Sequence, residues 1–194
     1  MEKERLLAFS DGVIAVIITI MVLELKSPHD ASLSALAAVA PPFLSYVLSF
    51  VYIAIYWNNH HHMFHMVRHV SGGILWANMH LLFWLSLVPF TTDWMGENHF
   101  DTVPVIVYGI ALLMSGLAYY VLERTIIRRQ GSDSALARAV GHDLKGRISL
   151  VLYTAAILLA LVHTWIAGAI YVLVALIWLI PDRRIERAIS HQGQ

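Results

Sequence analysis

The stretch ISLVLYTAAILLALVHTWIAGAIYVLVALIWLI, residues 148–180, decides how often this chain crosses a membrane. A helix rises about 1.5 Å per residue and bilayer hydrocarbon is about 30 Å thick, so as one helix this run would be about 50 Å long. A single long helix would need strong tilt to fit. His163, Thr164 and Gly168 interrupt the run at its middle, which predicts a fold-back there and two short crossings, 148–163 and 165–180.

Upstream, the same ruler marks four more spans. A helix is expected over 102–123, with Pro104 in its opening turn, where a missing N–H costs little. Gly72 and Gly73 precede a third helix over 74–95, and Pro41-Pro42 precede a second over 43–67. The first, 6–25, stops at Lys26, Ser27 and Pro28. It ends on charged residues without a small-residue cleavage site, so it is expected to be retained rather than removed as a signal peptide. The expected fold is thus an all-α integral membrane protein of six transmembrane helices in one domain, 1–194, with a polar connection over 124–147. Composition agrees, because 58% of residues are apolar and 13% charged, against about 45–50% and about 25% in soluble domains. A net charge of zero gives no bulk nucleic-acid signal, and the lack of cysteine excludes disulfides, thiolate metal sites and cysteine nucleophiles.

Orientation follows from basic residues, which collect on the cytoplasmic side. Six crossings with both termini cytoplasmic put Lys3, Arg5, Arg68, Arg124, Arg128, Arg129, Arg138, Lys145, Arg147, Arg183, Arg184 and Arg187 inside and leave only Lys26 outside. Glu24, Asp30, Asp93, Glu97 and Asp101 then make the outer face cation-attracting.

Polar groups within a bilayer are costly, so their positions carry information. Ser10 and Asp11, Asn58 to His62, and Asn78 with His80 fall at similar depth on three helices of alternating direction. They are expected to form one interhelical layer, in which Asp11 accepts from Trp57 or a histidine and Arg5 neutralises it. The first helix also carries Gly12, Val16, Thr19, Ile20 and Leu23 on one stripe, away from Asp11. That stripe packs against a neighbouring helix or lines a symmetric pore.

Other chemistries find less support. His61 and His65 have metal-binding i,i+4 spacing, with His62 and His69 nearby, but no His-Glu-x-x-His signature accompanies them. No Gly-x-Ser-x-Gly element supports a hydrolase, so no catalytic residue is assigned. A Thr-Val-Gly-Tyr-Gly potassium filter is absent, as are the internal repeats and broken helices that would favour a secondary transporter.

The run Arg5-Leu-Leu-Ala-Phe9-Ser10-Asp11-Gly12-Val-Ile-Ala15, continuing through Thr19 to Leu23, resembles the first helix of the transmembrane-protein-175 potassium channels, relatives of an endolysosomal channel of animals. Trp57, His60, His61 and Phe64 resemble that family's Trp-x-x-His-His-x-x-Phe segment, and Asn78 with Pro89-Phe90 its third helix. The motifs cover residues 5–95. The resemblance implies a six-helix subunit of the prokaryotic branch, in a bacterial inner membrane. It also implies a homotetramer with first helices around a central pathway. Val16, Thr19 and Leu23 would line the neck, with Ile20 close by. Arg5, Phe9, Ser10, Asp11, Trp57, His60, His61 and Asn78 would form the network that holds the pore helix. The expected function is passive, potassium-preferring conduction of monovalent cations, with Glu24 drawing them to the outer mouth. No metal and no cofactor other than permeant potassium is implied, and the partners are further copies of the chain and membrane lipid. The alternative is a proton-coupled or metal-ion transporter using Asp11 and the His60/His61 cluster.

Overall fold

A computed structural model describes residues 2–131, 133–141 and 143–179. Among the described residues all regular structure is helical: α1 (Lys3–Leu23), α2 (Leu33–Ala38), α3 (Ala40–His65), α4 (Gly72–Ser86), α5 (Val88–Glu97), α6 (Thr102–Gln130), α7 (Ala135–Val140), α8 (Leu144–Ala160) and α9 (Thr164–Leu179). Ile180, the end of the last expected span, and Arg183, Arg184 and Arg187 lie outside the described residues.

Local chemistry sets the boundaries. Pro41 and Pro42 occupy the first turn of α3, where their missing N–H groups leave no partner wanting. The Ser71 hydroxyl accepts from Ile74 N at the start of α4, and the Asp143 carboxylate accepts from Gly146 N at the start of α8. Residues 161–163 turn the chain between α8 and α9, beside the expected reversal point.

The third expected helix is not one rod. It breaks at Leu87 into α4 and α5, because Pro89 has no N–H for the ladder. Leu87 N then bonds Trp84 O, and Thr91 N picks up Leu87 O on the far side. A broken helix does occur here, although α4 and α5 together remain long and apolar enough to cross. The connection expected over 124–147 is also largely ordered, since α6 runs on to Gln130 and α7 follows. The hydrocarbon ruler measures where lipid ends, and nothing before Gly131 stops a helix.

Contacts fix the directions of the segments. Lys3 Nζ donates to Val67 O and Trp57 Nε1 to Asp11, so α1 and α3 are antiparallel. Ser49 meets both Thr92 of α5 and Tyr108 of α6, and Tyr119 of α6 meets Asn59. Thus α6 runs parallel to α3. The sites of Gly109 and Gly116 in α6 face Ile157 and Leu150 of α8, and Trp178 of α9 bonds Ser149 of α8. Each apolar segment reverses the one before. By length and hydropathy four are long enough to cross a membrane, Lys3–Leu23, Ala40–His65, Gly72–Glu97 and Thr102–Gln130, while α9 is a shorter apolar helix and α8 has 17 residues.

Two clusters fill the interior, one mainly among α1, α3, α4 and α6 and one mainly among α6, α8 and α9, which Tyr52 of α3 and Met95 of α5 join. In lipid, helix association rests on close packing and interhelical hydrogen bonds rather than on hydrophobic exclusion. Gly109 serves that packing, since a Cβ there would lie 2.0 Å from the Tyr171 hydroxyl oxygen, which bonds Val105 O. Gly96 likewise admits the Pro42 backbone, whose Cα would sit 2.6 Å from an added Cβ.

Candidate ion pathway and its supporting network

The inward face of α1 is a single line. Leu6, Ser10, Ile14, Ile17 and Met21 are buried against the rest of the chain. On the far side Val16 is 54%, Ile20 40% and Leu23 79% exposed, and Gly12 and Thr19 are exposed with them. One chain therefore leaves the whole expected stripe uncovered. The Thr19 hydroxyl donates to Val16 O at 2.9 Å. That bond spends its proton on the helix, so the oxygen lone pairs are what Thr19 presents outward.

On the buried line the polar groups form one directed chain. Ser10 Oγ donates to Leu6 O at 2.9 Å, Asn78 Nδ2 donates to Ser10 Oγ at 2.9 Å, and His60 Nε2 lies 2.7 Å from Asn78 Oδ1. Because the amide oxygen can only accept, His60 carries its proton on Nε2. Ser10, His60 and Asn78 are all fully buried, and no protein atom partners His60 Nδ1. This is the expected interhelical layer in reduced form.

Asp11 stands beside this chain, accepting from Trp57 Nε1 at 3.0 Å. Its expected partner Arg5 is not brought to it, for Arg5 is exposed and makes no ion pair with Asp11. Leu6, one turn before Ser10 on the buried line, takes the inward position, and Arg5, 100° away, points out. His61 also departs from the layer. His60 and His61 are 100° apart, so only one can face the core. His61 instead stacks on Trp57, with ring centroids 5.8 Å apart, and its Nε2 is 2.9 Å from His65 Nε2. Phe9 is 53% exposed on the outer face of α1 and joins no hydrogen bond. Asn59 and His80 stay within their own helices, bonded to Ile55 O and to Trp84 Nε1. Among the described residues no cluster could hold a metal ion.

The end of α1 holds Glu24, exposed. Just beyond it Lys26 pairs with Glu97 at the end of α5. The Lys26 ammonium is held protonated above the usual lysine range, first by its hydrogen bond to Glu97 and then by that carboxylate's charge, with Asp93 and Glu24 adding to it. The expected acidic mouth therefore contains its own counter-ion. Sequence reading placed Lys26 outside but did not pair it, since the contact spans two helices. It also missed the buried hydroxyls Thr92, Ser49 and Tyr108, linked at 2.7 and 3.0 Å. Ser45 and Ser49, one turn apart on α3, were the available signal.

The Ser10–Asn78–His60 chain and the uncovered α1 stripe coincide with a family model described as endosomal/lysosomal potassium channel TMEM175, which matches residues 5–89. A relative from Chryseobacterium sp. strain P1-3, named potassium channel, is 54% identical over 190 residues, covering 98% of this chain and 99% of that protein. The chain belongs to the TMEM175 family. The crystal structure of a lysosomal potassium-selective channel TMEM175 homolog from Chamaesiphon minutus is similar throughout, with a TM-score of 0.80, 27% identity, and coverage of 93% of this chain and 98% of that one. A mouse relative named endosomal/lysosomal proton channel TMEM175 is 26% identical over 182 residues, 84% of this chain but 36% of its own length. TMEM175 proteins are membrane ion channels, not a class of enzymes. This chain is accordingly a membrane protein whose fold is that of its channel relative.

Proposed function

We propose that the chain is a passive, potassium-preferring cation channel of a bacterial inner membrane. Six crossings per subunit leave both termini cytoplasmic, and four copies set α1 around a shared conduit. The observation that carries this reading is the exposed line Val16, Thr19, Ile20 and Leu23 on a helix whose opposite face is locked by buried hydrogen bonds. A single chain cannot close such a line into a pathway. The name of the Chryseobacterium relative, similar over nearly the whole chain, supports the permeant ion.

Selectivity is assigned to an apolar neck at which ions shed water, with Thr19 oxygens replacing part of the lost shell. Potassium gives up water more readily than sodium. Reconstitution into liposomes with a potassium gradient tests the reading, because a channel gives a reversal potential that follows the gradient, and coupling to protons would overturn it. The transporter reading has weaker support, since Asp11 and His60 share no hydrogen bond and His60 is engaged by Asn78.

Three further outcomes are expected. Mass measurement in nanodiscs should give a homotetramer, and a monomer or dimer in every lipid tried would remove the shared conduit. Thr19→Val keeps volume but deletes the outward oxygen, so conductance should survive while potassium preference drops severalfold; an unchanged reversal potential under biionic potassium and sodium would free Thr19 of that role. Lys26→Gln removes the cation among Glu24, Asp93 and Glu97, and should raise cation flux about twofold at low ionic strength and little at high. An increase that survives high salt would not be electrostatic.

A further inference from the structure

Phe9 is the part of the first-helix motif that the buried hydrogen-bonded chain leaves unused. Half its surface is exposed, although the opposite face of α1 is fully packed. Continuing the stripe inward by one heptad reaches it. Phe9, Gly12, Val16, Thr19 and Leu23 follow at steps of three, four, three and four residues, and all five are exposed. Such an alternation is the 3.5-residue period by which parallel helices keep one seam toward a common axis. Phe9, Val16 and Leu23 thus occupy equivalent positions, so a helix turned to bring Val16 and Leu23 to an axis brings Phe9 there too.

The layers between these positions are unequal. Thr19 presents an oxygen between Val16 and Leu23, but Gly12 presents no side chain between Phe9 and Val16. A Cβ added to Gly12 would meet no atom within 4 Å, and glycine inside a helix costs about 1 kcal/mol against alanine. The subunit itself therefore gives no steric reason for that glycine. Phe9, Gly12, Val16 and Ile20 also border one open groove of the single chain, where the centre of a water-sized sphere can move through about 750 Å³. At about 1.5 Å per residue the Phe9 and Val16 layers lie about 10 Å apart. No side-chain oxygen of the stripe falls in that interval, and helix carbonyls are engaged in the backbone ladder, so a cation there keeps its water. Aromatic rings attract it at one end, and the apolar neck at the other admits it only as water is shed. We propose that four Phe9 rings form a second, inner constriction and that the Gly12 layer behind it is a chamber holding one hydrated monovalent cation. The proposal deepens the pathway proposed above and rests on it.

The chain has no cysteine, so one introduced thiol reports on its own surroundings. Gly12→Cys and Thr19→Cys channels, reduced beforehand, are placed in planar bilayers and exposed on both faces to two reagents. One is silver ion, close to potassium in size; the other is a methanethiosulfonate with a trimethylammonium head, which is larger. Silver should block both variants. The larger reagent should leave Gly12→Cys conducting, because the Phe9 ring bars one end of the chamber and the neck the other. Adding Phe9→Ala should speed that reaction about tenfold, equivalent to about 1.4 kcal/mol off the barrier, whereas Phe9→Trp should keep the thiol shielded. Potassium current before reagent shows that each variant has assembled. Gly12→Val, whose Cβ meets open space within its own subunit, should cut potassium flux severalfold at unchanged tetramer mass. Silver block of Thr19→Cys with Gly12→Cys untouched, or wild-type flux in Gly12→Val, would overturn the chamber and leave the pathway standing. Equal rates of the larger reagent with and without Phe9→Ala, or fast reaction in Phe9→Trp, would overturn the inner constriction. Thiols inert to silver at both positions would remove α1 from the pathway, and the proposal with it.

Discussion

Leu23→Ala should raise cation flux severalfold and lower potassium selectivity at once. Leu23 is the most exposed residue of the α1 stripe, at 79% in a single chain, which is where a ring of identical side chains would close on an axis. Four such alkyl groups leave a passage that water enters reluctantly, and shortening them widens and wets it. An ion that keeps more of its water is less well distinguished by the cost of losing it. Conductance and selectivity must therefore move in opposite directions. A larger aromatic at the same position should lower flux. Single-channel or liposome recordings of wild type and Leu23→Ala under biionic potassium and sodium measure both quantities. Unchanged conductance and reversal potential in Leu23→Ala would remove α1 from the neck even with the family assignment intact.

Why the stripe could be read from sequence is a matter of period. Helical faces repeat every 3.6 residues, so Gly12, Val16, Thr19 and Leu23 had to share a side whatever they touched. The family followed from motifs of the same kind, Phe9-Ser10-Asp11 and Trp57 with His60 and His61, which lie within the matched segment 5–89. Exposure is what periodicity left open, because a stripe against a neighbouring helix has the same spacing as one against a second subunit.

Side-chain pairing was legible only where the helix itself forbade alternatives. Adjacent His60 and His61 point 100° apart, yet which one turns inward depends on the rotation of α3, set by Ser49 against Tyr108 and by Tyr119 against Asn59. The break at Leu87 was written in Pro89, but its position two residues earlier is set by Leu87 N bonding Trp84 O instead of continuing the i−4 ladder. Long-range ties such as Lys26 to Glu97 leave no local trace at all.

Asn78→Ala should destabilise the fold by about 2–4 kcal/mol, as lost pairing of buried polar groups compounds a small cavity. Asn78 is the link that both donates and accepts: its amide nitrogen bonds Ser10 Oγ and its oxygen receives His60. Removing it leaves Ser10 still bonded to Leu6 O, so the serine is nearly indifferent. His60 bears the loss. Its Nδ1 already lacks a protein partner, and without Asn78 the ring would keep neither nitrogen satisfied in a fully buried site. Alternative partners are scarce in a membrane interior, although measured interhelical bonds average about 0.6 kcal/mol and reach about 1.7 kcal/mol, so the two lost bonds account for about 1–3 kcal/mol and the cavity for the rest. The double variant Asn78→Leu with His60→Phe removes both ends of the bond in favour of apolar groups of similar size. It should recover much of the loss, since the unpaired ring is then gone. Thermal unfolding of the reconstituted protein, read beside the potassium–sodium reversal potential, measures both sides of the argument. Because the chain runs along the buried line of α1 and the stripe along the other, the melting temperature should fall while the reversal potential of surviving channels stays put. A wild-type melting temperature for Asn78→Ala, or losses in the double variant that simply add, would mean that the hydrogen-bonded chain does not hold α1 in place.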